Sequence, residues 1–391
     1  MGNTSEKLNI IKAMFIIFLL SNLTGAQELE KLEELKDFFT FYPNRRAAEK
    51  DSTLYLSKLV VAPVISYAPE TSLGFGVGAK YLFKFRGSGD ETRTSNMPAT
   101  IQYTLQNQFI VYSGFEVFTN QEKWVIEGNL RLQNYPRLFY GIGRDTPEAA
   151  EEEYNYYQAL VEPIFLKKMF LRYLFVGAGI RYNHIFKVGI DSEGNLQNSQ
   201  PLGFDGSTSA GAEVAMLYDS RDNILNAQSG WYFELTHGFY DKVLGGTSKF
   251  QLTRFDLRHY YKLFKEKNDV LGLQVVGSFS SGDVPFSELA LFGGDEILRG
   301  YREGRYVDRN IMAAQIEYRK QFKNSRLGMV VFAGGGDVFR ELNNLKISNI
   351  RPNFGFGLRY MLDKKERLNI RMDWGFGQDS NYLYLDIAEA F

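Results

Sequence analysis

Arg299, Gly300 and Tyr301 occupy the middle of LFGGDEILRGYREGRYVDRN, residues 291–310, a segment dense in ionic groups between apolar or alternating stretches. A guanidinium carries five donors in a rigid fork and stays charged, so it suits gripping a carboxylate rather than transferring a proton. Gly300 permits a tight backbone turn beside it, and Tyr301 supplies an aromatic brace. The chemistry implied is the anchoring of a loop. A second ionic stretch, YDSRDNILNAQSGWY, gathers Asp219, Arg221, Asp222, Asn223 and Gly230. Short polar side chains of this kind close turns through their own backbone.

Catalytic chemistry finds little footing. The histidines are His184, His237 and His259, each on the outward parity of its strand with Tyr182, Leu235 or Leu257, positions suited to an interfacial belt. No nucleophile-elbow, zinc-protease or calcium-loop spacing occurs. The chain has 0 Cys, which excludes thiolate and disulfide chemistry. GFGVGAK falls short of a dinucleotide fingerprint because no helix follows it, and GGGD at 334–337 reads as a strand running out into a loop. No catalytic residue, metal ligand or cofactor is expected. A net charge of −1 from 45 basic and 46 acidic groups provides no field for nucleic acid.

The elements that must position these groups are strands. In TSLGFGVGAKYLFKF, Leu73, Phe75, Val77, Ala79, Tyr81 and Phe83 share one face, with glycines and lysines on the other. RLNIRMDWGF sets Leu368, Ile370, Met372, Trp374 and Phe376 against Arg367, Asn369, Arg371 and Asp373. Many such segments exceed the roughly 5–6 residues of a soluble strand and reach the roughly 9–11 that cross a bilayer at a tilt. Sixteen can be drawn between residues 58 and 391, the last over 382–391, or fourteen if EEEYNYYQ, where the segment 153–166 begins, is loop. Short polar connections (KKM, KEKN, KNS, DKKE) contrast with long ones at 135–152, 188–206, 282–308 and 336–351. That asymmetry marks periplasmic turns and extracellular loops. Hydrocarbon leaves no partner for an open sheet edge, so the fold class expected is all-β, a closed transmembrane antiparallel β-barrel over 58–391. Glu127, Arg131, Glu213, Arg359, Arg371 and Asp373 fall on the lumen parity and mix both signs.

Ahead of the barrel, residues 1–26 have the layout of a secretory signal: Lys7 and Lys12, an apolar run from Ala13 to Leu20, and small residues up to Ala26. Residues 27–57 form a short segment in which Leu29, Leu32, Leu35 and Phe38 mark an amphipathic helix. Pro63, in LVVAPVISY, cannot donate to a ladder and belongs at an edge or bulge. In a closed barrel it marks the first strand as one side of a weak seam, with the last strand, ending in Phe391, as the other.

These stretches together resemble the BamA/TamA family of outer-membrane assembly barrels, the bacterial surface antigen family. Leu298-Arg299-Gly300-Tyr301 is similar to the tip motif of that family's sixth extracellular loop, and the Asp219–Gly230 turn and Phe391 fall in matching order. The resemblance covers residues 58–391 and implies about sixteen strands, with the sixth loop folded back into the lumen. It implies that acidic side chains on strands twelve and thirteen hold Arg299. The strand-twelve acid corresponds to Glu317, which shares the parity of Ala313, Gln315 and Arg319; the strand-thirteen position is Gly334, so Asp373 is the reserve partner. Phe391 is similar to the terminal aromatic that barrel-assembly machines recognise, with Glu389 an exception on the apolar parity. Residues 27–57 are too few for the family's periplasmic polypeptide-transport domains. The implied function is assisting insertion or transport of proteins at the outer membrane of a Gram-negative-type bacterium. Its partners would be outer-membrane lipids, client outer-membrane proteins and periplasmic accessory proteins. A passive pore or solute-binding channel is the alternative.

Overall fold

The computed structural model describes residues 40–51, 54–68, 72–89, 91–264, 269–364 and 367–391. The expected signal peptide and the helix at 28–39 lie outside them. Sixteen long strands follow in order: β1 (Lys58–Ala68), β2 (Ser72–Phe83), β3 (Ser95–Thr104), β4 (Phe109–Phe118), β5 (Trp124–Phe139), β6 (Glu152–Lys168), β7 (Leu174–Gly189) and β8 (Ser207–Asp219) form the first half. The second half is β9 (Gly230–Tyr240), β10 (Phe250–Lys262), β11 (Asp269–Gly282), β12 (Asn310–Gln321), β13 (Leu327–Phe339), β14 (Arg351–Asp363), β15 (Leu368–Phe376) and β16 (Asn381–Ile387). Each pairs antiparallel with the next and β16 returns to β1, closing the sheet into a barrel. No helix among the described residues is long and apolar enough to cross a membrane; strands make the crossings.

Alternation explains the closure. Ile65, Phe75, Val77, Ile101, Tyr103, Ile180, Val214, Phe354 and Trp374 point outward and are exposed, as a lipid-facing surface requires. His184 stacks on Phe186 and His259 on Trp231 within this outer surface. The opposite parity faces the lumen and is buried there, including Glu213, Arg359, Arg371 and Asp373.

Three strand limits differ from the sequence pattern. β5 continues past Pro136 to Phe139 and pairs with β6 throughout, so EEEYNYYQ is strand and not loop. β13 runs through Gly334, Gly335 and Gly336 to Phe339 instead of exiting at GGGD. The glycines fit because β12 is so close: a Cβ at Gly334 would lie 2.5 Å from the Ala314 carbonyl oxygen, and one at Gly336 2.7 Å from the Ala313 Cβ. The last strand stops at Ile387, and Ala388 adopts φ +84°, which turns residues 389–391 inward.

The barrel has a terminal rim, where β1 begins and β16 ends, and a distal rim. The distal rim carries the longest connection, 283–309 between β11 and β12. This loop forms a small hairpin, Ala290–Phe292 with Tyr306–Asp308, and enters the lumen. Distal connections are not uniformly long, since β15 and β16 are joined by 377–380 alone.

The closing pair is the thinnest. Seven register pairs join β15 to β16, whereas Leu385↔Tyr67 is the single one between β16 and β1 among the described residues. Pro63 registers with Val77 of β2 and lies in the part of β1 without a β16 partner.

Candidate functional site

The loop carries Arg299 to the centre of the lumen, where neither it nor Glu317 nor Asp373 has any exposed side-chain surface. Glu317 is supplied by β12 and Asp373 by β15, both on inward positions of alternating strands. Arg299 Nη2 donates to Glu317 Oε2 at 2.5 Å and to Gln315 Oε1 at 3.3 Å, while Nη1 donates to Asp373 Oδ2 at 2.7 Å. The guanidinium lies 3.6 Å above the Phe332 ring of β13, which adds a cation–π contact. Glu317 and the reserve partner Asp373 are therefore engaged together. Gly334 leaves the strand-thirteen position without an acid, and Asp373 contributes the second anion from two strands further on.

Gly300 and Tyr301 fix the approach. Gly300 has φ +111°, and a Cβ there would lie 2.5 Å from the Phe376 carbonyl carbon, so only glycine fits between loop and wall. Its N–H donates to the Tyr384 hydroxyl at 3.0 Å, and its carbonyl accepts from Ser380 Oγ at 2.7 Å. The Tyr301 hydroxyl donates to the Pro352 carbonyl at 2.9 Å and accepts from the Gln378 N–H at 2.7 Å. Asn353 Nδ2 donates to the Arg299 carbonyl at 2.9 Å. None of Tyr384, Ser380, Gln378 or Asn353 was signalled by a motif; each is a lone polar residue on a strand or turn whose register alone brings it to the loop.

The anchor is part of a larger network. Glu317 Oε1 accepts from Arg319 Nε at 2.7 Å, and Asp373 accepts from Arg359 Nη1 at 2.5 Å and Arg371 Nη1 at 3.3 Å. Two of these arginines grip the inward-turned tail. Arg359 Nε donates to Glu389 Oε2 at 2.7 Å, and Arg319 Nη2 donates to the Phe391 carbonyl at 2.8 Å. Arg371 returns to the loop, donating to the Asp295 carboxylate at 2.8 Å. Buried charges are tolerated when paired, and the four arginines divide Glu317, Asp373, Glu389 and Asp295 among them. Elsewhere along the same loop, Glu288 is held by Arg181 at 2.8 Å and Asn183 at 2.7 Å on β7.

The tail corrects two expectations. Glu389 does not stand on the lipid face: the turn at Ala388 reverses the parity and places its carboxylate in the lumen between Arg359 and Asn369. Phe391 is not a seam residue. It is 7% exposed and packs with Ala227, Tyr260, Val270 and Ala390, away from β1.

The Asp219–Gly230 turn lies across the terminal mouth. Asp219 accepts from Arg221 Nε at 2.8 Å and from Arg93 Nη1, in the β2–β3 connection, at 2.7 Å. Asp222 accepts from the backbone N–H groups of Gln228 and Ser229 and, at 2.6 Å, from Arg367. Gly230 has φ +107°, and a Cβ there would lie 2.3 Å from the Ser220 carbonyl oxygen. The turn is self-paired, as its composition indicates, and also tied to two other turns. Beyond the loop, the lumen between β3–β6 and β9–β11 keeps a cavity of about 610 Å³, bordered by Tyr112, Glu127, Arg254 and Glu296.

No curated protein matches the chain. Among solved structures, BamA from Haemophilus ducreyi lacking POTRA domains 1–3 is similar with a TM-score of 0.56 at 13% identity, over 84% of this chain and 70% of that one. CdiB from Acinetobacter baumannii is similar with a TM-score of 0.56 at 11% identity, over 85% of this chain and 59% of that one. The Omp85 superfamily domain matches residues 75–378, which takes in the barrel from β2 to the end of β15 together with the loop bearing Arg299, and the chain therefore belongs to the Omp85 superfamily.

Proposed function

We propose that this barrel assists insertion or transport of proteins at the outer membrane, with its terminal rim in the periplasm, by lateral opening between β1 and β16. The observation that carries this reading is the seam, where Leu385↔Tyr67 is the one register pair between the closing strands among the described residues. Among the described residues the closing strands share one register pair against the thirteen that join β10 to β11, which makes theirs the ladder that parts most readily, and superfamily membership supports the same reading. The loop anchored through Arg299, Glu317 and Asp373 fills the lumen beside the closing half of the barrel and holds its wall in shape while the seam works. Client proteins of the outer membrane are the partners, with periplasmic accessory proteins at the terminal rim. A passive channel is the second reading, favoured by the cavity of about 610 Å³ with both signs of charge on its border.

Depleting the protein separates the two. Assembly or transport predicts a selective fall of particular outer-membrane or surface proteins, at least threefold, before growth slows. An unchanged outer-membrane proteome with reduced uptake of small solutes would instead establish the channel.

A further inference from the structure

β1 presents its seam edge to more than β16. Its other edge is fully paired with β2 from Lys58↔Leu82 to Ala68↔Ser72, so any additional partner must sit on the seam side. Two occupy it. Near the distal rim, Tyr67 registers with Leu385 of β16. Near the terminal rim, Val60 and Leu59 register antiparallel with Thr40 and Phe41, a two-residue strand from the segment that precedes the barrel. Thr40–Phe41 runs in the same direction as β16 and lies further along the same edge, beyond the stretch opposite residues 61–63 that β16 leaves when Ala388 turns residues 389–391 into the lumen.

The segment is shaped to return to that edge. After Phe41 the chain makes a short helix, Arg45–Lys50, and re-enters β1 at Lys58. Asn44 clasps the two ends of this excursion: its Nδ2 donates to the Tyr55 carbonyl at 2.8 Å, and its Oδ1 accepts from the Ser57 N–H at 2.9 Å. Between the two occupants, residues 61–64 have no ladder partner on the seam side among the described residues. Pro63 stands in that gap, where a missing donor costs least.

We propose that Thr40–Phe41 is an inhibitory strap: the chain's own N-terminal segment covers the periplasmic half of the β1 edge and must leave before an incoming strand can pair there. This rests on the lateral-seam reading. An exposed β edge templates pairing with any extended segment, and the strap covers it with two register pairs among the described residues, a ladder that an incoming strand would have to displace. Phe41 is 53% exposed, so its side chain is not what holds the strap; backbone pairing and the Asn44 clasp contribute.

The test uses the full chain in lipid vesicles, with an unfolded eight-stranded outer-membrane barrel as the probe substrate. Thr40→Cys with Val60→Cys locks the strap by a disulfide, and Thr40→Pro with Phe41→Pro prevents its pairing. Expected are amide exchange at residues 58–61 at least tenfold faster in the proline variant, and insertion of the probe at least fivefold slower in the oxidised strap lock. Reduction should restore the rate, and the proline variant should insert at least twice as fast as the parent. A second lock, Tyr67→Cys with Leu385→Cys, separates the two levels. If the strap lock leaves insertion unchanged while the seam lock stops it, the strap is not inhibitory and lateral opening stands. If neither lock alters insertion, lateral opening fails and the strap with it. Slower insertion by the proline variant would also overturn inhibition, because the segment would then be a required part of the seam.

Discussion

Asp373→Ala is expected to be the most damaging single substitution in the lumen. Asp373 receives Arg299, Arg359 and Arg371 while wholly buried. Removing it leaves three guanidinium groups competing for the carboxylates that remain. Breaking one buried ion pair costs roughly 3–5 kcal/mol, mostly as the penalty of the stranded charge, and here the strandings are several. The urea midpoint of the folded barrel, read from heat-modifiable migration on gels, should fall by an amount equivalent to that range or more. A loss below about 1 kcal/mol, the value of a solvated pair, would show that water screens the cluster and that the network does not hold the lumen together.

Arg299→Ala should act on the loop before it acts on the barrel. The two carboxylates it abandons keep Arg319, Arg359 and Arg371, so the wall stays paired while the loop loses its central tie. A docking loss of roughly 3 kcal/mol corresponds to about a hundredfold more open loop, at about 1.4 kcal/mol per factor of ten. Protease cleavage within 291–305 should rise accordingly. Glu317→Ala should raise it less, since Asp373 still holds the guanidinium. The double variant should resemble Arg299→Ala, because partners in contact are not additive. If the two effects summed, the Arg299–Glu317 contact would not be the one that holds the loop. Arg299→Lys should fail to rescue, as a compact ammonium cannot span both carboxylates with a planar fork.

The barrel itself was legible because lipid on one side and a crowded lumen on the other impose a strict period of two along strands such as β2 and β15. Arg299 was legible as an anchor from its residue type and its company, and Glu317 from its parity on the next strand. What escaped the sequence depends on register across the barrel. Arg319, Arg359 and Arg371 lie on recognisable lumen positions, yet nothing local shows that they meet Glu317, Asp373 and Glu389. The inward tail was misread because YLYLDIAEAF alternates to its end, and only the left-handed backbone at Ala388 breaks the pattern. The GGGD stretch was misread for the opposite reason. Glycines that usually end strands are here the residues that let β12 and β13 approach. The two described residues Thr40 and Phe41 carry no periodic signal of their own.

The seam remains the decisive place. The chain has 0 Cys, so Tyr67→Cys with Leu385→Cys places one disulfide across the register pair Leu385↔Tyr67 of β1 and β16. The measurement is the rate at which vesicles containing this variant insert an unfolded outer-membrane barrel, oxidised against reduced. Lateral opening predicts at least a tenfold lower rate when oxidised, full recovery on reduction, and an unchanged folded barrel in both states. Equal rates with the disulfide fully formed would contradict it.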